Sequence, residues 1–205
     1  MRTILLTLCL FMGTILSAQN NVLIEIENAN AAYKVITGDF VRTQTNVAKG
    51  TSIKADGTLY IVGEDQMTQH YKAPSTDLLI INGNDFYMIR GKKTNKFNTE
   101  KNKTMRSLRN TLLYCVHGKP MELATENGAE ITAEKKENEY EVVLISTKKT
   151  ARGYAKIVLT YDLKSKLLTK MRMDEYNGNS TLYEMNNLKT NGNIDAKVFD
   201  IPEKK

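Results

Sequence analysis

The chain has 205 residues, of which 41% are hydrophobic and 25% charged, and 29 basic against 23 acidic residues give a net charge of +6. This length fits one domain that buries a substantial core. The positive charge has two interpretations, attraction to acidic membrane surfaces or a solvated basic surface. We expect no nucleic-acid partner, because the N-terminus carries an export signal.

That N-terminus has the pattern of a signal peptide. Arg2 precedes an apolar run over residues 4–16, and Ser17 and Ala18 supply the small residues of a cleavage site. The run is shorter than the roughly 20 residues of a membrane-spanning helix, so we predict a signal peptide over residues 1–18 rather than an uncleaved anchor. Residues 19–205 would then form a single exported domain, in which Cys115 has no partner for an internal disulfide.

The first half of the mature chain predicts a helix followed by strands. Apolar residues recur at helical spacing over residues 22–36, and Gly38 is a plausible stop. Two apolar runs then flank Asn82-Gly83-Asn84-Asp85, which is the chemistry of a tight hairpin turn. The predicted strands cover residues 39–47, 53–62, 66–72, 77–82 and 85–91.

The second half repeats this order. After the polar residues 92–103, Met105, Leu108 and Leu112 recur at the spacing of an amphipathic helix that we expect Gly118 with Pro120 to end, and either Asn102 or Thr104 would be its N-cap. Strands are predicted over residues 129–135, 139–147, 154–161, 167–176 and 180–189. Such a sheet tends to curl. We therefore predict an α+β, mainly β domain: a curved, incomplete antiparallel barrel of about 10–11 strands, with helices as a lid over an apolar cavity.

Motifs of catalysis are missing from the sequence. The mature chain has only His70 and His117, and the pair Cys115 and His117 would point to different helix faces. No metal-ligand spacing, nucleophile elbow or nucleotide-binding loop occurs. We predict a protein that is not an enzyme and needs neither a cofactor nor a metal.

Methionine is the distinctive apolar residue. The mature chain has no Trp, yet carries seven methionines after its first strand, which are Met67, Met88, Met105, Met121, Met171, Met173 and Met185. This flexible, polarizable side chain suits surfaces that repack around variable ligands. Ordinary filling of a core is the alternative.

Several local motifs, in their order, resemble the LolA family, the periplasmic carriers of outer-membrane lipoproteins. The family's Gly-x-Leu-Trp strand corresponds to Gly57-Thr58-Leu59-Tyr60, and its later Pro, apolar run, turn and aromatic strand correspond to Pro74, residues 78–80, Asn82-Gly83 and Phe86-Tyr87. The family's C-terminal pattern is matched by Tyr183, Asn191-Gly192, Ile194-Asp195, Phe199 and Pro202.

The resemblance implies a monomeric periplasmic carrier that accepts lipoprotein acyl chains from an inner-membrane release transporter and hands them to an outer-membrane acceptor. Alternatives are a carrier of another lipid or glycolipid, or an adaptor that senses lipoproteins. The side chains expected to line the acyl cavity are Leu59, Met67, Leu78, Ile80, Phe86, Met88, Met105, Leu108, Leu112, Met171, Met173 and Tyr183.

The sequence also departs from the family pattern on one strand. Gly63 and Glu64 stand where the family has Arg-Pro, and Met67 and Gln69 stand at the positions of an aromatic pair. In the family that Arg contacts the lid and helps to set its open and closed states, so the resemblance does not extend to this gating device, and Gln69 makes that wall more polar.

Overall fold

A computed structural model describes residues 21–75, 77–148 and 153–201, which form one antiparallel sheet of eleven strands with its three α-helices packed on one face. The predicted signal peptide, residues 1–18, lies outside the described residues. Within the described part, no helix is long and apolar enough to cross a membrane.

The sheet consists of two strand groups separated by a pair of helices. Residues 21–31 are helical (α1), and a short 3₁₀ helix covers Ala196–Phe199 near the C-terminus. The intervening elements are β1 Val35–Asn46, β2 Thr51–Val62, β3 Gln66–Tyr71, β4 Leu78–Asn82, β5 Asp85–Arg90, β6 Lys93–Asn98, α2 Lys103–Val116, α3 Pro120–Asn127, β7 Ala129–Lys135, β8 Glu139–Ser146, β9 Tyr154–Asp162, β10 Leu168–Glu175 and β11 Ser180–Thr190.

The strand order is β6-β5-β4-β3-β2-β1-β11-β10-β9-β8-β7, so the first and last strands of the chain pair at the centre. The sheet is not closed, and β6 and β7 are its two edges. α2 and α3 connect these two edges across the apolar face of the sheet. Both helices contribute to one buried core with β1–β5 and β7–β11. The predicted α+β, mainly β class, an open antiparallel sheet with helices over its apolar face, is therefore confirmed.

Specific residues fix this arrangement locally. Gly83 has a φ of +56° in the β4–β5 turn, where Asn82 pairs with Asp85, so the predicted hairpin is present. The side chain of Asn102 accepts a hydrogen bond of 3.0 Å from the Met105 N–H and caps α2. Gly57 permits a close approach, because a Cβ there would lie 2.2 Å from the His70 carbonyl oxygen and 2.8 Å from the Phe40 ring.

The structure departs from the predictions at three places, each for a physical reason. The first helix ends at residue 31, because Ile36 enters β1 as a buried strand residue. The polar segment after residue 92 contains an additional strand, β6, in which Phe97 pairs with Phe86. α2 ends just before Gly118, as predicted, but Pro120 also begins an additional helix, α3, since proline is well suited to the first turn of a helix.

Candidate functional site

The helix-covered face of the sheet gathers most of the predicted lining residues. Ten of the twelve belong to the core or pack against it. Eight are buried, which are Leu59, Met67, Phe86, Met105, Leu112, Met171, Met173 and Tyr183, and two are partly buried, Met88 and Leu108. The structure thus brings together residues from both strand groups and from α2.

Leu78 and Ile80 lie on the opposite face of the sheet. Their neighbours Leu79 and Ile81 join the core, and side chains alternate between faces along a strand. Ile80 pairs with Thr68 and Tyr87 on the outer side. The run from Leu78 to Ile81 is apolar throughout, so its sequence carries no alternation that would identify the inward-facing pair.

Methionines supply much of the buried surface under the helices. Met67 and Met171 are 0% exposed, whereas Met121 on α3 is 44% exposed. Flexible side chains of this kind can change rotamer to admit a ligand of variable shape at low cost. Met185, also buried in the core, is a further candidate that the predicted set omitted.

A small polar group interrupts the apolar face. The Tyr71 hydroxyl donates a hydrogen bond of 3.1 Å to Oε1 of Gln69, and the guanidinium carbon of Arg42 lies 4.7 Å from the centre of the Tyr71 ring. Phe40 contacts the same ring edge to face, with centroids 5.0 Å apart. Burial raises the pKa of the Tyr71 hydroxyl, so it acts as a neutral donor.

Hydrogen bonds join α2 to both strand groups. The Nε of Arg109 donates to the carbonyl oxygen of Gly83 over 2.7 Å, and the Tyr161 hydroxyl donates to the carbonyl oxygen of Cys115 over 3.0 Å. The first bond fastens the helix to the β4–β5 turn and the second fastens its C-terminal end to β9. These bonds hold the helix over the core without the arginine that the family places on the strand.

The helix α1 is held by the turn between β9 and β10. The side-chain amide of Asn30 donates to the carbonyl oxygen of Lys166 over 2.7 Å, and Tyr33 donates to the carbonyl oxygen of Ser165 over 2.9 Å. The Lys166 ammonium lies 2.9 Å from Oε1 of Glu25. Hydrogen bonds from Lys166 and Tyr140 lower the pKa of Glu25.

The junction between α2 and α3 contacts the turn at which the sequence departs from the family. Glu64 lies 3.4 Å from the Lys119 ammonium, so a carboxylate at this turn contacts the helix pair. The pair is exposed and contributes little stability. His117 beside it is 8% exposed and its Nε2 has no partner among the described residues. Burial lowers the pKa of His117 to about 4, which keeps the imidazole neutral at pH 7.

The interior between the sheet and the end of α2 is almost completely filled. An apolar void there, bounded by Leu59, Ile61, Val116 and Met185 among others, has a volume of about 10 Å³. This is about the space of one water molecule. An acyl chain can therefore enter the core only if side chains and helices move.

Larger spaces open beside α2. A groove that we call the α2 groove has a volume of about 400 Å³ and is lined by Thr104, Ser107, Leu108, Tyr154 and Glu175, together with Lys103 and Gly153. An adjoining pocket of about 220 Å³ shares Ser107 and Tyr154.

The adjoining pocket reaches the core residues Leu144 and Ile157. The α2 groove thus leads from a polar rim to the apolar interior. Its volume falls within the range of small-molecule pockets, roughly 300–1,000 Å³.

The arrangement offers an extended apolar surface, and its buried thiol is not set up as a nucleophile. Burial raises the pKa of the Cys115 thiol, so the thiolate needed for a nucleophile is disfavoured. Among residues 21–75, 77–148 and 153–201, no three His, Cys, Asp or Glu side chains cluster as metal ligands would.

Comparison with known proteins identifies the family. The model of the family described as "Outer membrane lipoprotein carrier protein LolA" matches residues 31–202. Comparison with curated proteins gives no match.

Solved structures are similar to this chain at low sequence identity. A DUF1329 family protein from Desulfovibrio piger has a TM-score of 0.50 and 10% identity, over 91% of this chain and 97% of that one. A putative outer membrane lipoprotein-sorting protein domain from Vibrio parahaemolyticus has a TM-score of 0.48 and 14% identity, over 88% and 95%. A LolA superfamily protein from Nitrosomonas europaea has a TM-score of 0.45 and 9% identity, over 90% and 98%.

Proposed function

Because the chain belongs to the LolA family, we propose that it is a periplasmic carrier that binds lipoprotein acyl chains and moves them from the inner to the outer membrane. The observation that carries the proposal is the continuous methionine-rich core between the sheet and α2, which the α2 groove reaches from outside. Export through the predicted signal peptide, residues 1–18, and action as a monomer are parts of the same proposal.

Binding in this carrier exchanges one set of apolar contacts for another. Each acyl CH₂ that leaves water contributes about 0.8 kcal/mol, so ten of them contribute about 8 kcal/mol. Moving α2 and repacking residues such as Met105 and Met171 is unfavourable and offsets part of this free energy. The cost of opening lowers the net affinity, which favours release to a membrane or acceptor that binds the chain more tightly.

The α2 groove is the proposed place for the first contact with cargo. Leu108 and Tyr154 offer apolar surface there, while Thr104 and Ser107 offer hydroxyls to the polar part of an acylated molecule. The chain would enter between α2 and β9 and displace the side chains around Leu144 and Ile157. The inner-membrane release transporter and the outer-membrane acceptor remain proposed partners.

Mass spectrometry of the cargo that co-purifies from the periplasm tests this proposal. Acylated peptides derived from lipoproteins are expected, and they should disappear when Leu108→Glu replaces the wild type. Co-purification of glycolipid or phospholipid without any lipoprotein would replace the proposed cargo by the alternative lipid. Recovery of a folded protein that never carries lipid would contradict the carrier function itself.

A second test follows the movement of α2. Cys115 is 0% exposed in the packed arrangement, so it should react with a thiol reagent only when the helix end separates from the sheet. A saturating acyl ligand is expected to change the labelling rate of native protein. A rate that is identical with and without bound ligand would contradict the proposed movement of α2.

A further inference from the structure

The two edges of the sheet differ strongly in charge. Residues 90–106, which comprise the edge strand β6 and its flanks, contain seven basic residues and one acidic one. Residues 129–141, which comprise the opposite edge strand β7, the following turn and the first three residues of β8, contain five acidic and two basic residues. The surplus of the first segment equals the net charge of the whole chain, +6.

Most charges of the first segment are available to a partner. We call this surface the basic edge, and its members are Arg90, Lys92, Lys93, Lys96, Lys101, Lys103 and Arg106, all of them exposed. Lys96 pairs with Asp85 at 2.7 Å, and Arg106 donates to the Thr99 and Glu100 carbonyl oxygens. The other five members form no ion pair among the described residues, and they are Arg90, Lys92, Lys93, Lys101 and Lys103.

Protection of an open sheet edge does not explain this distribution. Lysines on an edge strand do discourage pairing with other chains. The β7 edge has the same need, however, and it carries Glu130 and Glu134 instead. Since charge of either sign protects an edge, the concentration of positive charge at β6 indicates a partner of opposite sign.

The basic edge adjoins the proposed cargo site. Lys103 belongs to it and also lines the α2 groove, where Thr104 follows. We propose that the basic edge docks the carrier on the anionic headgroups of a phospholipid bilayer, so that the α2 groove faces the membrane during transfer of an acyl chain. The acidic β7 edge is repelled by the same surface, which gives the docked molecule a preferred orientation.

Membrane docking would serve the proposed carrier by shortening the path of the chain through water. A chain that leaves the groove next to the headgroups exposes fewer CH₂ groups to solvent than one released at a distance, and each exposed group is unfavourable. This inference rests on the proposed carrier function, but the docking itself is measurable without cargo.

The test is cosedimentation of the purified protein with phosphatidylcholine vesicles that contain or lack phosphatidylglycerol. Binding is expected only to the anionic vesicles. It should weaken when NaCl is raised from about 0.1 M to about 1 M, because the Debye length shortens from about 10 Å to about 3 Å. The triple variant Lys92→Gln, Lys93→Gln, Lys101→Gln should bind at least about tenfold more weakly, because each lysine near the surface contributes about 1 kcal/mol.

A matched control removes the same charge elsewhere. Lys54, Lys164 and Lys170 are exposed and lie outside the basic edge, so their replacement by Gln should leave most of the vesicle binding intact. Equal losses in the two triple variants would overturn the assignment to this edge. Failure of the wild type to bind anionic vesicles at low salt would overturn the docking proposal altogether.

Affinity for a fluorescent fatty acid separates this result from the carrier function. Both triple variants spare every side chain of the α2 groove and of the core, so each should bind the probe like the wild type. Lost docking with unchanged probe binding supports the inference. Lost probe binding in a folded basic-edge variant would contradict the separation between docking and cargo sites.

Discussion

The Nε of Arg109 on α2 donates a hydrogen bond to the carbonyl oxygen of Gly83, 2.7 Å away in the β4–β5 turn. The same guanidinium donates from Nη1 to the side-chain oxygen of Asn110 over 2.9 Å. The arginine therefore stands on the helix for which we propose a movement, and its acceptor stands on the sheet. A backbone carbonyl as acceptor makes this contact independent of the side chain at position 83.

Arg109→Gln is expected to bind acyl chains more tightly. Loss of the bond to Gly83 lowers the cost of opening, and apparent affinity rises with the population of the binding-competent state. A hydrogen bond with a charged donor contributes roughly 1.5–3 kcal/mol, less where solvent screens it, so an increase of about threefold to tenfold is expected. Titration of a fluorescent fatty acid measures the change.

Arg106→Gln is the matched control for this variant. Arg106 is also on α2, but it donates to the carbonyl oxygens of Thr99 and Glu100, which lie in the loop just before the helix. Its replacement should leave acyl affinity unchanged, since those bonds do not join the helix to the sheet. Equal effects of the two variants, or weaker binding by Arg109→Gln, would contradict the role of Arg109 as a latch.

Leu108→Glu is expected to weaken binding of the same probe by about tenfold while the protein stays folded. Leu108 is partly buried at the α2 groove, so a carboxylate there keeps access to water in the free protein. An acyl chain in the groove would cover the carboxylate, which is unfavourable for a charged group. The acyl chain would also lose its apolar contact with the leucine, which is worth roughly 1.5–3 kcal/mol when fully buried.

Met121→Glu provides the comparison on the neighbouring helix. Met121 is 44% exposed on α3 and does not line the α2 groove. Its variant should bind the fatty acid like the wild type, and both variants should give the far-UV circular dichroism of a β protein. Unchanged affinity in Leu108→Glu would remove the α2 groove from the binding path.

Periodicity and turn chemistry made most of the fold predictable. Every predicted strand is present in the structure, since residues such as Gly83 mark the turns between strands. α2 begins after Asn102, one of the two predicted caps. The third helix was not predicted, because Pro120 is compatible with both the end of one helix and the beginning of the next. The direction of individual side chains was less predictable, since in an all-apolar run such as Leu78 to Ile81 only the pairing register decides which side chains face inward.

Gly57→Ala is expected to destabilise the fold strongly. The new Cβ would lie 2.2 Å from the His70 carbonyl oxygen, which is backbone and cannot rotate away, and 2.8 Å from the Phe40 ring. Overpacking of this kind typically costs about 1–3 kcal/mol or more, which corresponds to a fall in melting temperature of at least several degrees. Thermal unfolding followed by circular dichroism measures it.

Gly192→Ala is the control for this substitution. A Cβ at Gly192 would meet no atom within 4 Å, and the residue has no positive φ that an alanine would strain. Its melting temperature should therefore stay close to that of the wild type. A Gly57→Ala protein as stable as Gly192→Ala would show that β2 and β3 can separate at this point without cost.

His117 is expected to make stability depend on pH between about 4 and 6.5. Burial lowers the pKa of this imidazole from its ordinary 6.5 to about 4 in the folded protein. Above pH 6.5 both states are neutral at this site and its contribution is fully present. As the pH falls below 6.5 the unfolded chain binds a proton that the folded one does not, so stability is lost until about pH 4.

The full loss corresponds to about 3 kcal/mol, since each pKa unit represents about 1.4 kcal/mol. His117→Leu should remove this slope, and it also removes the Nε2 that is buried without a partner among the described residues. Urea unfolding at pH 4.5 and pH 7 measures the difference. His70→Gln, which replaces an imidazole whose Nε2 lies 2.7 Å from the Val198 carbonyl oxygen, should keep the slope of the wild type. If His117→Leu lost as much stability on acidification as the wild type, the pH dependence would have to come from carboxylates such as Glu25.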